Sequence, residues 1–231
     1  MSYVLPVPPV VALPVSGTGD HIAARRVYCV GRNYVEHAKE MGFTGREPPF
    51  FFIKPTDALN VVPAGSTGEM AYPSLTKDLH HEIELVAVIG TGGRDIPAAQ
   101  ALDHVWGYAL GLDMTRRDLQ GEMKKQGRPW EIGKAFDQSA PIGPVVPAAA
   151  LPGIHEAAIS LTVNGKVRQT SSTSKLIWNV AETIEHLSRA WELQPGDVIF
   201  TGTPEGVAAV VTGDLLVGHV DGLPDLSVRI V

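Results

Sequence analysis

The clearest periodic signal in the chain is helical. Leu176, Ile177, Val180, Ile184, Leu187 and Trp191 recur at the spacing of one helix face, so an amphipathic helix is expected over Lys175 to Glu192. Elsewhere the apolar positions come in short runs closed by glycine or proline, which is the punctuation of strands. Arg26 to Val30, Phe50 to Lys54, Ile83 to Ile89, Trp106 to Leu112 and Asp197 to Thr201 are read as strands. Leu161 to Val167 is read as a hairpin, because Asn164-Gly165 suits the two-residue type I′ turn. A second helix is expected from Arg116 to Lys125, since Thr115 and Asp118 have the spacing of a capping box and Gly127 follows. A third, Tyr34 to Met41, succeeds the turn Gly31-Arg32-Asn33 and ends at Gly42; at two turns it needs tertiary support.

Ahead of these elements, residues 1–24 carry Pro6, Pro8, Pro9 and Pro14 and the turn-forming stretch Ser16-Gly17-Thr18-Gly19-Asp20. Proline fixes the backbone and removes a donor, so this segment is expected as an extended lead-in to a single domain over residues 25–231. Many strands, few helices and no repeat period make the expected class α+β and β-rich.

Composition narrows the function. A net charge of −6 argues against an electrostatic nucleic-acid binder. Cys29 is the single cysteine and lies within an apolar run, so no internal disulfide is possible and the expected role is a buried structural thiol. No apolar stretch approaches the ~20 residues of a membrane span, and the proline-rich start lacks the basic region of a signal peptide. A cytoplasmic protein is the expectation. Neither a G-x-G-x-x-G turn nor a phosphate-binding loop is present, and there is no G-x-S-x-G nucleophile elbow.

The unusual chemistry lies in "LHHEIELVAVIG", residues 79 to 90. On a strand, side chains alternate, so Glu82 and Glu84 share one face while His81, Ile83 and Leu85 take the other. Two like charges side by side are tolerated when water reaches both, as on an exposed edge strand, or when a cation lies between them. A hard cation such as Mg²⁺ takes oxygen ligands and keeps positions for water and substrate. Asp113, between a strand and a helix, is a candidate third ligand, although it could equally serve as part of a helix cap. Arg117 and Gln120 share a helix face, and Lys134 follows in a run of small residues; such donors could face an anionic intermediate, or simply meet solvent. His37 and Glu40 are likewise three apart, a spacing at which a carboxylate can orient an imidazole to activate water, and one also common in surface pairs.

Taken together, "VGRNYVEHAKEM", "PFFFIKP", "DLHHEIELVAVIG", "GYALGLDMTRRDLQ", "GKAFDQSAPIGP" and "LQPGDVIFTGTPEGV" occur in the order found in the fumarylacetoacetate hydrolase family. The chain resembles the short form of that family from Arg25 onward. The resemblance implies a mixed β-strand roll with a divalent cation, Mg²⁺ or Mn²⁺, held by Glu82, Glu84 and Asp113. It implies His37 and Glu40 as a water-activating pair, Arg117, Gln120 and Lys134 around the reacting carbonyl, and Thr203 as a substrate contact. Arg32, Lys54 and Arg116 are further candidate partners for a second substrate carboxylate. The activity implied is hydrolytic C–C cleavage of an acylpyruvate, with fumarylpyruvate favoured and a homodimer expected. Decarboxylation of oxaloacetate or isomerisation of a hydroxy-diene dioate is the alternative within the family. A non-catalytic binding protein on the same roll is the alternative outside it.

Overall fold

Every residue of the strand Ile83–Ile89 is buried, and the rest of the fold is arranged to cover its two faces. The computed structural model describes residues 3–35 and 46–231. Its strands in chain order are β1 Ala12–Pro14, β2 His21–Ala23, β3 Val27–Gly31, β4 Phe50–Lys54, β5 Leu59–Val61, β6 Thr67–Met70, β7 Leu79–His80, β8 Ile83–Ile89, β9 Val105–Leu112, β10 Thr115–Arg116, β11 Ala140–Ile142, β12 Val146–Pro147, β13 Ala158–Val163, β14 Lys166–Ser172, β15 Val198–Phe200, β16 Ala209–Val210, β17 Leu215–Val220 and β18 Leu226–Ile230. The α-helices among the described residues are α1 Ala98–Ala101, α2 Arg117–Gln126, α3 Glu131–Lys134 and α4 Val180–Ala190.

The main sheet runs β4-β3-β15-β8-β9-β11-β5, with β12 also paired to β9, and curls into a half-barrel. A second sheet, β14-β13-β17-β18-β6, packs against its outer face. Most neighbours are antiparallel, but β3 with β15, β5 with β11 and β6 with β18 run parallel. This is the mixed, β-rich roll expected from the sequence.

Alternation along β8 divides the core in two. Ile83, Leu85, Ala87 and Ile89 join Leu110 and Leu112 of β9, Ile159 and Leu161 of β13, Val228 of β18 and the α4 face of Val180, Ile184 and Leu187. Val86 and Val88 join the inner cluster with Val27, Cys29, Ala109, Ile142, Val198 and Phe200. Gly111 is required there, since a Cβ at that position would lie 2.6 Å from the Phe200 ring. Burial pushes the Cys29 thiol well above its ordinary pKa, in keeping with the structural role expected of it.

Several expected elements take different bounds. In the N-terminal segment β1 and β2 pair into a hairpin that packs on the roll, with Leu13 inaccessible to solvent in the inner cluster and Val15 bridging to Val145. The apolar residue between the prolines outweighs their lead-in character. Helix α4 starts at Val180, five residues later than its hydrophobic spacing suggests, because Asn179 accepts from the Glu182 N–H while Glu182 accepts from the Asn179 N–H. Leu176 and Ile177 lie before that cap. At α2 the expected capping box is absent: Thr115 is in β10, pairing with His80, and its hydroxyl donates to the Asp113 carbonyl. Asp118 instead accepts from Thr76 and from the Lys77 and Leu119 amides. Asn164 and Gly165 both have positive φ, as the type I′ turn demands. The expected helix from Tyr34 to Met41 lies mostly outside the described residues.

Candidate active site

Inner-face parity places Glu84 on β8 just beyond Val86, with Glu82 two residues earlier at the entrance to the strand. The chain reaches Asp113 directly after β9, and the Asp113 N–H donates to the Glu82 carbonyl over 2.8 Å. That backbone bond extends the β8/β9 ladder and brings the third acid beside the first two. One carboxylate oxygen from each of Glu82, Glu84 and Asp113 lies within 4.8 Å of the others, and all three residues are buried. An all-oxygen donor set of three converging carboxylates fits a hard divalent cation.

Three cations surround these acids. Lys134 Nζ lies 2.8 Å from Glu82 Oε2 and 2.7 Å from Asp113 Oδ2, Lys54 Nζ lies 2.9 Å from Asp113 Oδ1, and Arg117 Nη2 pairs with Glu82 Oε1. Burial alone would lower the Lys134 ammonium pKa, but Asp113 and Glu82 together outweigh it and the net shift is upward. Glu84 has a different environment. Its Oε2 accepts a 2.7 Å hydrogen bond from the Gly202 N–H, and burial, then the charges of Asp113 and Glu82, hold its pKa well above the ordinary carboxylate range.

The amide that reaches Glu84 depends on a close approach. Gly202 has φ of 105°, and a Cβ there would come within 2.6 Å of Asn33 Cβ. Asn33, fully buried, donates to the carbonyls of Trp178 and Thr201 and accepts from the Trp178 N–H. It ties the turn after β3 to the segment after β15 and to the approach to α4. In the sequence Asn33 shows only as part of a turn, because its partners lie 145 and 168 positions away.

Helices α2 and α3 form the opposite wall. Arg117 Nη1 donates to Gln120 Oε1 over 2.6 Å, and Gly133 lies so close that a Cβ would sit 2.8 Å from the Gln120 backbone nitrogen. The cleft is thus lined by Glu82, Glu84 and Asp113 on one side and by Arg117, Gln120 and Lys134 on the other, with Arg32, Phe52, Trp130 and Thr203 completing it. Arg32 adopts a left-handed φ of 59° and sets its guanidinium over the Phe50 and Trp130 rings, at 5.1 and 5.6 Å from their centroids.

Lys54 is inaccessible to solvent, its ammonium meeting Asp113 Oδ1, Ser139 Oγ at 3.0 Å and the Lys134 carbonyl, and it is not part of the cleft lining. Arg116 stacks at 4.3 Å over Phe136, away from the cleft lining. His81 is buried on the other face with its Nδ1 2.9 Å from Gln169 Oε1, and burial lowers its pKa. His80 pairs with Asp78 at 2.9 Å. His37 and Glu40 lie outside the described residues.

The model of the fumarylacetoacetate hydrolase C-terminal domain matches residues 26–231. The chain belongs to this family. It is an enzyme of this hydrolase and isomerase family. A fumarylpyruvate hydrolase from Pseudomonas aeruginosa, solved in complex with Mn²⁺ and pyruvate, is 60% identical and superposes with a TM-score of 0.98 over 100% of this chain and 99% of that one. The fumarylpyruvate hydrolase of a Ralstonia species is 45% identical over 80% of this chain and 93% of its own length. The mitochondrial oxaloacetate tautomerase of Rattus norvegicus is 41% identical over 89% of this chain and 91% of its own. Within the family this cleft, with its acid triad, supports a divalent-cation site.

Proposed function

We propose that this enzyme hydrolyses an acylpyruvate, and that fumarylpyruvate is its substrate, yielding fumarate and pyruvate. The observation that carries this reading is the acid triad in a roll that superposes on a fumarylpyruvate hydrolase holding Mn²⁺ and pyruvate. In this proposal Glu82, Glu84 and Asp113 hold Mg²⁺ or Mn²⁺. When bound, the cation supplies Lewis-acid polarisation of the keto acid's oxygens and offsets developing negative charge.

The chain's own groups do the rest. His37, oriented by Glu40, takes a proton from water so that hydroxide adds to the C4 carbonyl. Lys134 has three N–H donors and spends two on Glu82 and Asp113, which leaves one for the C4 oxyanion, with the Gln120 amide beside it. When C4 reforms its carbonyl the C3–C4 bond breaks; the electron pair stays on C3, which takes the proton His37 removed from water to give pyruvate. Arg117 holds Glu82 and Gln120 in place, and Arg32 and Thr203 take substrate oxygens at the cleft's edge.

The 41% identity to an oxaloacetate tautomerase favours one second reading, keto–enol interconversion of a dicarboxylic keto acid in the same cleft without a water nucleophile. A panel of fumarylpyruvate, acetylpyruvate, fumarylacetoacetate and oxaloacetate, each with Mg²⁺, Mn²⁺ or chelator, separates the two. Fumarylpyruvate should turn over fastest, releasing pyruvate only with a cation present. Enol–keto relaxation of oxaloacetate without pyruvate release from any dioxo acid would replace the hydrolase reading. The homodimer implied by the resemblance is tested by light scattering on the eluted protein.

A further inference from the structure

Gln169 is the one buried side chain between Lys166 and Thr170 of β14, an otherwise exposed stretch. Its amide oxygen accepts from the Ile83 N–H at 3.1 Å and meets His81 Nδ1 at 2.9 Å; its amide nitrogen donates to Thr203 Oγ1 at 2.9 Å and to the Pro204 carbonyl at 2.8 Å. Two of these partners have fixed roles. A backbone N–H can only donate and a carbonyl can only accept, so Ile83 and Pro204 between them admit a single orientation of the amide. The other two roles follow. His81 must carry its hydrogen on Nδ1, and Thr203 Oγ1 must accept from Gln169.

A threonine hydroxyl that accepts from behind has its own hydrogen to give forward. Thr203 lines the cleft, and among the described residues no acceptor takes that hydrogen. Gly206 keeps the Thr203 loop against β14: it has φ of 90°, and a Cβ there would lie 2.2 Å from the Arg168 carbonyl oxygen. Ile83 lies between Glu82 and Glu84, so the same amide braces both the acid-bearing strand and the threonine-bearing loop.

We infer that Gln169 is a positioning residue that occupies one lone pair of Thr203 Oγ1 and turns the hydroxyl hydrogen toward the cleft, so that this wall is set to donate to a carboxylate or oxo oxygen of the ligand. The inference rests on the keto-acid reading of the cleft and adds the polarity of one wall, set from a strand of the second sheet.

The test is calorimetric binding of pyruvate to the Mn²⁺-loaded protein, with kcat and KM for fumarylpyruvate in parallel. Thr203→Val should weaken pyruvate about tenfold, the scale of one hydrogen bond to a charged group, and raise KM more than it lowers kcat. Thr203→Ser, which keeps the hydroxyl, should bind within about threefold of the wild type on the same reasoning. Gln169→Glu turns the donor into an acceptor that takes the Thr203 hydrogen, so it should weaken pyruvate as Thr203→Val does and add nothing in the Thr203→Val background. Equal losses from Gln169→Glu in both backgrounds, or unchanged binding by Thr203→Val, would overturn the inference while leaving the keto-acid reading intact. Failure of the wild type to bind pyruvate would sink that reading and this inference with it.

Discussion

The Lys134 ammonium lies 2.7 Å from Asp113 Oδ2, both side chains almost wholly withdrawn from water. Neither charge would be stable there alone, and the third neighbour, Glu82, is also buried. Removing one partner of such a pair typically costs about 3–5 kcal/mol, because the remaining charge keeps its desolvation penalty. Lys134→Met should therefore lower the melting temperature of the metal-free protein substantially and abolish most hydrolysis. Added Mn²⁺ should recover part of the lost melting temperature, since a divalent cation compensates the same acids. Thermal scans with chelator and with Mn²⁺ give the comparison; an equal loss in both would separate Lys134 from the cation site.

Asp113→Asn keeps the shape of the side chain and the backbone link to Glu82 while removing one negative ligand. Mn²⁺ affinity, followed by electron paramagnetic resonance, should fall by at least about tenfold. Hydrolysis at low Mn²⁺ should fall with it and recover in part as Mn²⁺ is raised.

His37→Ala probes the proposed water activation. Loss of a general base commonly costs about 10²- to 10⁴-fold, so hydrolysis of fumarylpyruvate should drop on that scale while pyruvate still binds. Full activity in stopped assays would remove His37 from the mechanism.

The start of α4 predicts an acid-sensitive contribution to stability. Burial would raise the Glu182 pKa, but the hydrogen bonds from Arg46 and from the Asn179 amide outweigh it and the net shift is downward. A carboxylate with a lowered folded-state pKa stabilises the fold above its unfolded value of about 4.3, and that contribution is lost as pH falls through the folded-state pKa. The melting temperatures of the wild type and Glu182→Gln should therefore differ at neutral pH and converge in acid. Asn179→Ala should cost about 1 kcal/mol at neutral pH, the usual worth of such a cap, by urea denaturation.

What the sequence made legible follows from which forces are local. β4 and β8 take the bounds read from their apolar runs, and Asn164-Gly165 turns its hairpin, because alternation and positive φ are properties of adjacent residues. Strand parity likewise suffices to put Glu82 and Glu84 on one side, where the structure adds Asp113 through the β8/β9 ladder. Thr115 leaves the expected cap because its pairing with His80, 35 positions away, outweighs a local capping preference. The burial of Leu13 and of Lys54 depends on what the roll brings over them, which no nearby residue announces. Gln169 sits in "KVRQTSS", a polar edge-strand sequence with no motif, and its importance comes wholly from partners 34 to 88 positions distant.

Strand β8 also checks its own placement. Slipping it by one residue against β9 would turn Glu82 and Glu84 toward the aliphatic packing against the second sheet and send Ile83 and Leu85 among Lys134, Arg117 and Asp113. Both exchanges are costly: two acids would be stranded in hydrocarbon, and Arg117 and Lys134 would lose Glu82 as a counter-ion. The residues that equip the cleft for a cation therefore act during folding as a proofreading mark, rejecting the off-by-one sheet before any ligand arrives.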